Sequence, residues 1–159
     1  MKKILLSLVL ALTALTSHAW TQRPNFAQAQ CMVHAPYGFP QANPPTSPIC
    51  RQAYFVGYDA AAKLPRYVTY ELLPQNALGC FPRTNAFVAD QSVPGGATPS
   101  DYAGTGYDKG HAAPDGDLSW SQIVEYESFL MTNMYPQHGS LNRGIWKLLE
   151  TSVRGWAVQ

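Results

Sequence analysis

The chain predicts an α+β domain with an antiparallel or mixed sheet. Two early runs rich in aromatic and β-branched residues, 49–58 and 66–73, read as strands. Two later stretches, 121–130 and 141–154, carry apolar residues at helical spacing. Strands first and helices after, divided by a stretch rich in Pro and Gly, is the order expected of an α+β fold.

The first 19 residues read as an export leader. Met1-Lys2-Lys3 is a basic start, Ile4 to Leu12 is an apolar run, and Ser17-His18-Ala19 is a small-x-small cleavage site. Cleavage after Ala19 leaves Trp20 first and directs the chain to the periplasm or the exterior. The apolar run is too short for a comfortable bilayer span, so no stable membrane association is expected. Loss of Lys2 and Lys3 turns 11 basic and 10 acidic residues into nine and ten. A near-neutral chain has no global field for nucleic acid, so any phosphate recognition must come from a few placed side chains. A 46% hydrophobic content excludes a disordered chain, and 159 residues suffice for a single core.

Residues 20–48 form an irregular arm rich in Pro, Gln, Ala and Asn, and 49–159 form the domain proper. Cys31 and Cys50 bracket the loop-forming part of the arm and are the natural disulfide pair; Cys80 is left over. Residues 59–63 turn the chain between the two strands, and Pro74 ends the second. Residues 79–106 are loop, with Arg83 the one charge in the run 81–87. In the first helix Ile123, Tyr126 and Leu130 make the apolar stripe, and Ser119 or Ser121 is placed to cap it. Residues 131–135 are extended and stop at Pro136. In the last helix Ile145, Leu148 and Leu149 form the stripe, while Asn142, Trp146 and Glu150 share another face.

The chemistry concentrates between Tyr107 and Glu150. Asn142 and Glu150 stand eight positions apart, about two helical turns, and offer hard oxygen donors on one face. Such a pair suits Mg²⁺, which keeps most of its waters and needs few protein ligands. His111 follows Gly110 in a turn that also holds Asp108 and Lys109, and an imidazole is a plausible base near neutral pH. Base, metal and cationic side chains are together what phosphodiester hydrolysis requires.

Three blocks carry a more specific signal: Asp108-Lys109-Gly110-His111-Ala112-Ala113-Pro114, Asn133-x-x-Pro136-Gln137, and Leu141-Asn142-Arg143-Gly144-x-Trp146-x-x-Leu149-Glu150. In order, spacing and identity they resemble the DNA/RNA non-specific endonuclease family, one of the ββα-metal (His-Me finger) nucleases. The resemblance covers roughly 50–154. It implies a ββα-metal finger set on the sheet, with His111 as general base and Asn142 as direct ligand of Mg²⁺, or of Mn²⁺ or another divalent cation. It further implies that Glu150 holds metal-bound water, that Asn133 supports the geometry, and that Arg83 and Arg154 contact phosphate or stabilise charge. Lys109 stands where the family most often has arginine; lysine keeps the charge and loses the bidentate fork.

The implied function is a secreted, Mg²⁺-dependent endonuclease that hydrolyses DNA and RNA without sugar or strong sequence specificity. Family members continue past the Asn/Glu helix into further strands, so a C-terminally truncated version of the fold is expected. A catalytically inactive extracellular fragment that only binds nucleic acid is the competing reading, favoured by the short chain and by Lys109.

Overall fold

The computed structural model describes residues 29–159. The leader read at 1–19, and residues 20–28 of the arm, lie outside the described residues. From Ala29 to Thr46 the chain is irregular apart from one helical turn next to Cys31 and a 3₁₀ turn at Met32–His34. Cys31 is bonded to Cys50 with 5.7 Å between their Cα atoms, within the usual span of a disulfide. Cys80 is free and exposed.

Strands β1 (Ser47–Cys50), β2 (Phe55–Asp59) and β3 (Leu64–Thr69) form an antiparallel sheet in the order β1-β2-β3. The run 49–58 is therefore a hairpin rather than the single strand its composition suggests. The chain reverses between Cys50 and Phe55, where the Arg51 amide donates to the Tyr54 carbonyl at 2.8 Å. The short helix α1 (Pro74–Ala77) begins with Pro74 in its first turn, where the missing N–H costs nothing. The strand itself stops at Thr69, so Pro74 opens an element instead of closing one.

A second sheet pairs β4 (Tyr107–His111) with β5 (Met134–His138), antiparallel, with His111 opposite Met134 and Lys109 opposite Pro136. Pro136 thus sits inside β5 instead of ending it. A two-stranded sheet has only edge strands, and a proline is tolerated on an outward-facing edge. Gly110 lies within β4 rather than in a turn, and what requires glycine there is close approach. A Cβ on Gly110 would collide with the side chain of Gln137, its diagonal neighbour on β5.

Helix α2 (Gln122–Ser128) buries Val124, Glu125 and Ser128. Its expected stripe is off by about half a turn, for Ile123 is 60% and Tyr126 51% exposed; only Leu130, just past the helix end, is buried as expected. The helix shows its charged face inward because Glu125 is used there: its carboxylate accepts from the Thr84 amide at 2.8 Å and from Thr84 Oγ1 at 3.1 Å. Ser121 occupies the cap position without a side-chain hydrogen bond.

The last helix is present but not uniform. A π-helical stretch, Leu141–Trp146, passes a kink at Gly144 (φ −104°, ψ −112°) and continues as α3 (Lys147–Ala157). No residue of α3 is fully buried. The stripe of Ile145, Leu148 and Leu149 faces outward, with Ile145 65% and Leu148 63% exposed. The helix turns its polar face to the body of the protein.

The core lies between the main sheet and α2. Tyr54, Val56, Tyr58, Ala113, Leu118 and Val124 are fully buried in it. A smaller cluster of Ala97, Met131 and Met134 lies beneath the ribbon. Leu118→Ala is expected to cost about 2–5 kcal/mol of stability, as for other buried leucines. Ile123→Ala should stay within about 0.5 kcal/mol. Urea denaturation of the two variants checks which face of α2 is inside.

Candidate active site

The ribbon β4–β5 followed by the helix 141–157 is a ββα unit, and one cavity lies between its parts. The cavity holds about 380 Å³ and is lined by His111 and Lys109 from β4, Asn142, Lys147, Glu150 and Arg154 from the helix, Arg83 from the long loop, and Asp115 and Gly116. Every sequence-predicted site residue except Asn133 lines this cavity.

His111 ends β4 and is 7% exposed. The Phe129 ring meets it edge-on at 4.9 Å and Phe87 lies at 5.8 Å, so an aromatic wall backs the imidazole. Its Nε2 is buried without a hydrogen-bond partner. Burial, with a smaller contribution from the Arg83 guanidinium, drives the His111 pKa down to about 3. The ring is therefore neutral at pH 7, the form in which it can accept a proton.

Asn133 acts on the backbone beyond His111. Fully buried, it accepts from the Ala113 amide at 2.9 Å through Oδ1, and its Nδ2 donates to the carbonyls of Ala113 and Ser128, each at 2.9 Å. The Ala112 amide donates to the Asn133 carbonyl at 2.8 Å. One carboxamide thus joins the exit of β4 to the end of α2, and the residue supports the site without entering it.

Asn142 donates through Nδ2 to Asp108 Oδ2 at 3.0 Å. A carboxylate only accepts, so this bond identifies the nitrogen and leaves Asn142 Oδ1 as the free acceptor. Arg143 Nε lies 3.2 Å from the same Asp108 oxygen. Glu150 lines the same cavity. Burial raises its pKa, and the Arg154 guanidinium opposes that shift.

This donor set fits a hard divalent cation: a free amide oxygen, with a carboxylate in the same cavity. Among the described residues no group of three or more His, Cys, Asp or Glu could hold a metal by itself. A cation that brings its own water ligands is the kind that suits such a site.

The cations are tethered. Arg83 Nη1 donates to Asp115 Oδ2 at 2.8 Å and its Nε to Asn85 Oδ1 at 2.7 Å. Its guanidinium carbon stands 4.9 Å from the centre of the Phe129 ring. Arg154 Nη1 donates to Asp117 Oδ1 at 2.7 Å. Lys109 Nζ lies 4.9 Å from the centre of the Phe87 ring. The sequence reading assigned no role to Asp108, Asp115, Asp117 or Glu125. Of the four only Asp108 has a local signal, its place beside Lys109 and His111; the partners of the others are 32 to 47 positions away.

The family model for the DNA/RNA non-specific endonucleases matches residues 34–159. The mitochondrial nuclease EXOG of Mus musculus is 33% identical over 121 residues, which is 74% of this chain and 32% of that protein. A nuclease of Nostoc sp. is 34% identical over 77% of this chain and 47% of its own length. The chain thus spans between about a third and a half of these relatives. A crystal structure of an EndoG/EndoGI complex superposes with a TM-score of 0.67 at 28% identity, covering 86% of this chain and 56% of that one.

The burial of His111 has a pH signature. Its pKa in the folded chain lies below the unfolded value of 6.5, so between those values the unfolded chain binds more protons. Its contribution to stability is complete above pH 6.5 and is lost as pH falls toward 3. His111→Gln, which cannot charge, should flatten the decline in unfolding free energy between pH 6.5 and 4 relative to the unaltered chain. Denaturant titrations across that range check this, and parallel slopes would contradict it.

Proposed function

We propose, because this chain belongs to the DNA/RNA non-specific endonuclease family, that its cavity hydrolyses phosphodiester bonds of DNA and RNA. The observation that carries the proposal is a neutral, buried imidazole sharing one cavity with a free amide oxygen, a carboxylate and four cationic side chains.

In this reading His111 takes a proton from the attacking water as its oxygen bonds to phosphorus. The bond to the leaving oxygen then breaks, and that oxygen acquires a proton from solvent. Arg83, Lys109 and Arg154 bind the non-bridging oxygens, whose charge grows as the bond order changes. Asn142 would hold a divalent cation with Glu150 beside it, and the cation, Mg²⁺ in the simplest case, neutralises charge at the phosphate when bound. Phosphate contacts carry no base identity, and this agrees with cleavage of either nucleic acid without strong sequence preference. Phe87 and Phe129 keep bulk water from the back of the imidazole, so it stays an unprotonated base over a wide range of acid pH.

The proposal includes export, supported by the leader pattern at residues 1–19 and by the Cys31–Cys50 disulfide, a bond that persists in oxidising compartments.

Purified protein incubated with plasmid DNA and with RNA is expected to degrade both in Mg²⁺ and neither in EDTA. His111→Ala should slow cleavage by about 10²–10⁴-fold. Binding without cleavage in Mg²⁺ would replace the enzyme with a binding module, while full activity in His111→Ala would remove the assigned base. N-terminal sequencing of the exported protein should begin at Trp20; recovery only inside the cell with Met1 intact would contradict export.

A further inference from the structure

Arg83 and Arg154 are bonded to two carboxylates of one three-residue 3₁₀ turn, Asp115–Asp117, but in different ways. Arg83 is 46% exposed, and Asp115 keeps its second oxygen, Oδ1, buried without a partner. That pair is open to exchange with an incoming anion. Arg154 is 24% exposed, and the Asp117 side chain that holds it is completely buried.

A buried carboxylate is costly unless its oxygens are satisfied. Asp117 has both occupied: Oδ1 accepts from Arg154 Nη1 at 2.7 Å and Oδ2 from the Tyr70 hydroxyl at 2.6 Å. With two short bonds to separate elements, the carboxylate cannot rotate without breaking one. The phenol is committed to donating: burial, and then the Asp117 charge, push its pKa upward. Tyr70 immediately follows β3, so the bond ties the main sheet to the turn.

Gly116 completes the arrangement. A Cβ at this position would lie 2.8 Å from Arg154 Nη1 and 2.9 Å from Cζ, so the guanidinium packs directly on the backbone of the turn. Asp117 occupies one of its five N–H donors, and Nη2 has only a long contact of 3.5 Å to Thr151 Oγ1. Donors therefore remain for an anion in the cavity that Arg154 lines.

We infer that Asp117 and Tyr70 are positioning residues for Arg154: a two-bond relay from the end of β3 holds this guanidinium in a fixed pose for a phosphate, while Arg83 stays exchangeable. The inference rests on the cavity being a phosphodiester site. A pre-aligned cation contributes more to the transition state than one that must first be ordered, because no reorganisation accompanies the reaction.

The test is a double-mutant cycle on the full chain with Asp117→Asn, Arg154→Ala and the pair. It is read on single-turnover cleavage of a labelled duplex in Mg²⁺ and on the Kd for that duplex in EDTA. Asp117→Asn and Arg154→Ala should each slow cleavage by about tenfold or more, and the pair should be no slower than Arg154→Ala. Tyr70→Phe should show a smaller loss that likewise vanishes in the Arg154→Ala background. Losses that multiply, or no loss in Asp117→Asn, overturn the inference, since a merely structural role would persist without Arg154. Thermal unfolding reports whether Asp117→Asn is folded; if it is not, Tyr70→Phe with Arg154→Ala forms the cycle. Should the unaltered chain bind DNA without cleaving it, the nuclease reading fails and the cycle is decided on the Kd alone. If it neither binds nor cleaves, both readings fall.

Discussion

The helix that supplies half of the site has no fully buried residue, so its place over His111 depends on polar contacts. Two carry most of that burden. Asn142 is bonded to Asp108 on β4 at 3.0 Å, and Arg154 to the buried Asp117 at 2.7 Å. Apolar contact would tolerate sliding and rotation of the helix. Hydrogen bonds to fixed carboxylates do not, because their strength falls steeply with distance and angle. The constraint has an electrostatic side as well, since Asp115 and Asp117 offset the cationic charge that Arg83 and Arg154 bring to one small volume.

The rest of the fold serves the same end with different means. Asn133 ties the exit of β4 to α2, so that the imidazole, the aromatic wall of Phe129 and the loop bearing Arg83 are referred to one another. Glu125 anchors that loop from the buried side of α2. With only 13% charged residues, the chain places much of its ionic pairing around the cavity. The desolvation of His111 and the placement of the cations follow from one packing arrangement.

Much of this was legible from residues alone. The Cys31–Cys50 pair, the strand at 66–69 and the last helix were readable from local spacing, and the family resemblance marked His111, Asn142, Glu150, Lys109, Arg83 and Arg154, which line one cavity. Errors came where tertiary structure overrides local pattern. The run 49–58 has strand composition throughout and folds as a hairpin, since Arg51–Tyr54 closes a turn that composition does not mark. Pro136 and Gly110 read as breakers, yet a two-stranded ribbon accommodates both. Ile123 and Tyr126 of α2 and the stripe of α3 face outward because each helix turns polar side chains inward, with Glu125 in one and Glu150 and Arg154 in the other, while Leu130 is buried as expected. Asn133 read as part of the site's support, and its three buried bonds explain how it acts without touching the cavity. Tyr70 and Asp117 were invisible because their roles exist only across 47 and 37 positions of chain.

In the proposed function Asn142 Oδ1, freed by the bond from Nδ2 to Asp108, would present a divalent cation to phosphate beside a neutral His111. The most direct test of this role is the single-turnover cleavage rate of a labelled duplex as a function of Mg²⁺ concentration, for the unaltered chain and for Asn142→Ala. Half-saturation is expected to move upward by about 10–100-fold or more in the variant, together with a lower plateau. Identical half-saturation and plateau in the two proteins would contradict it.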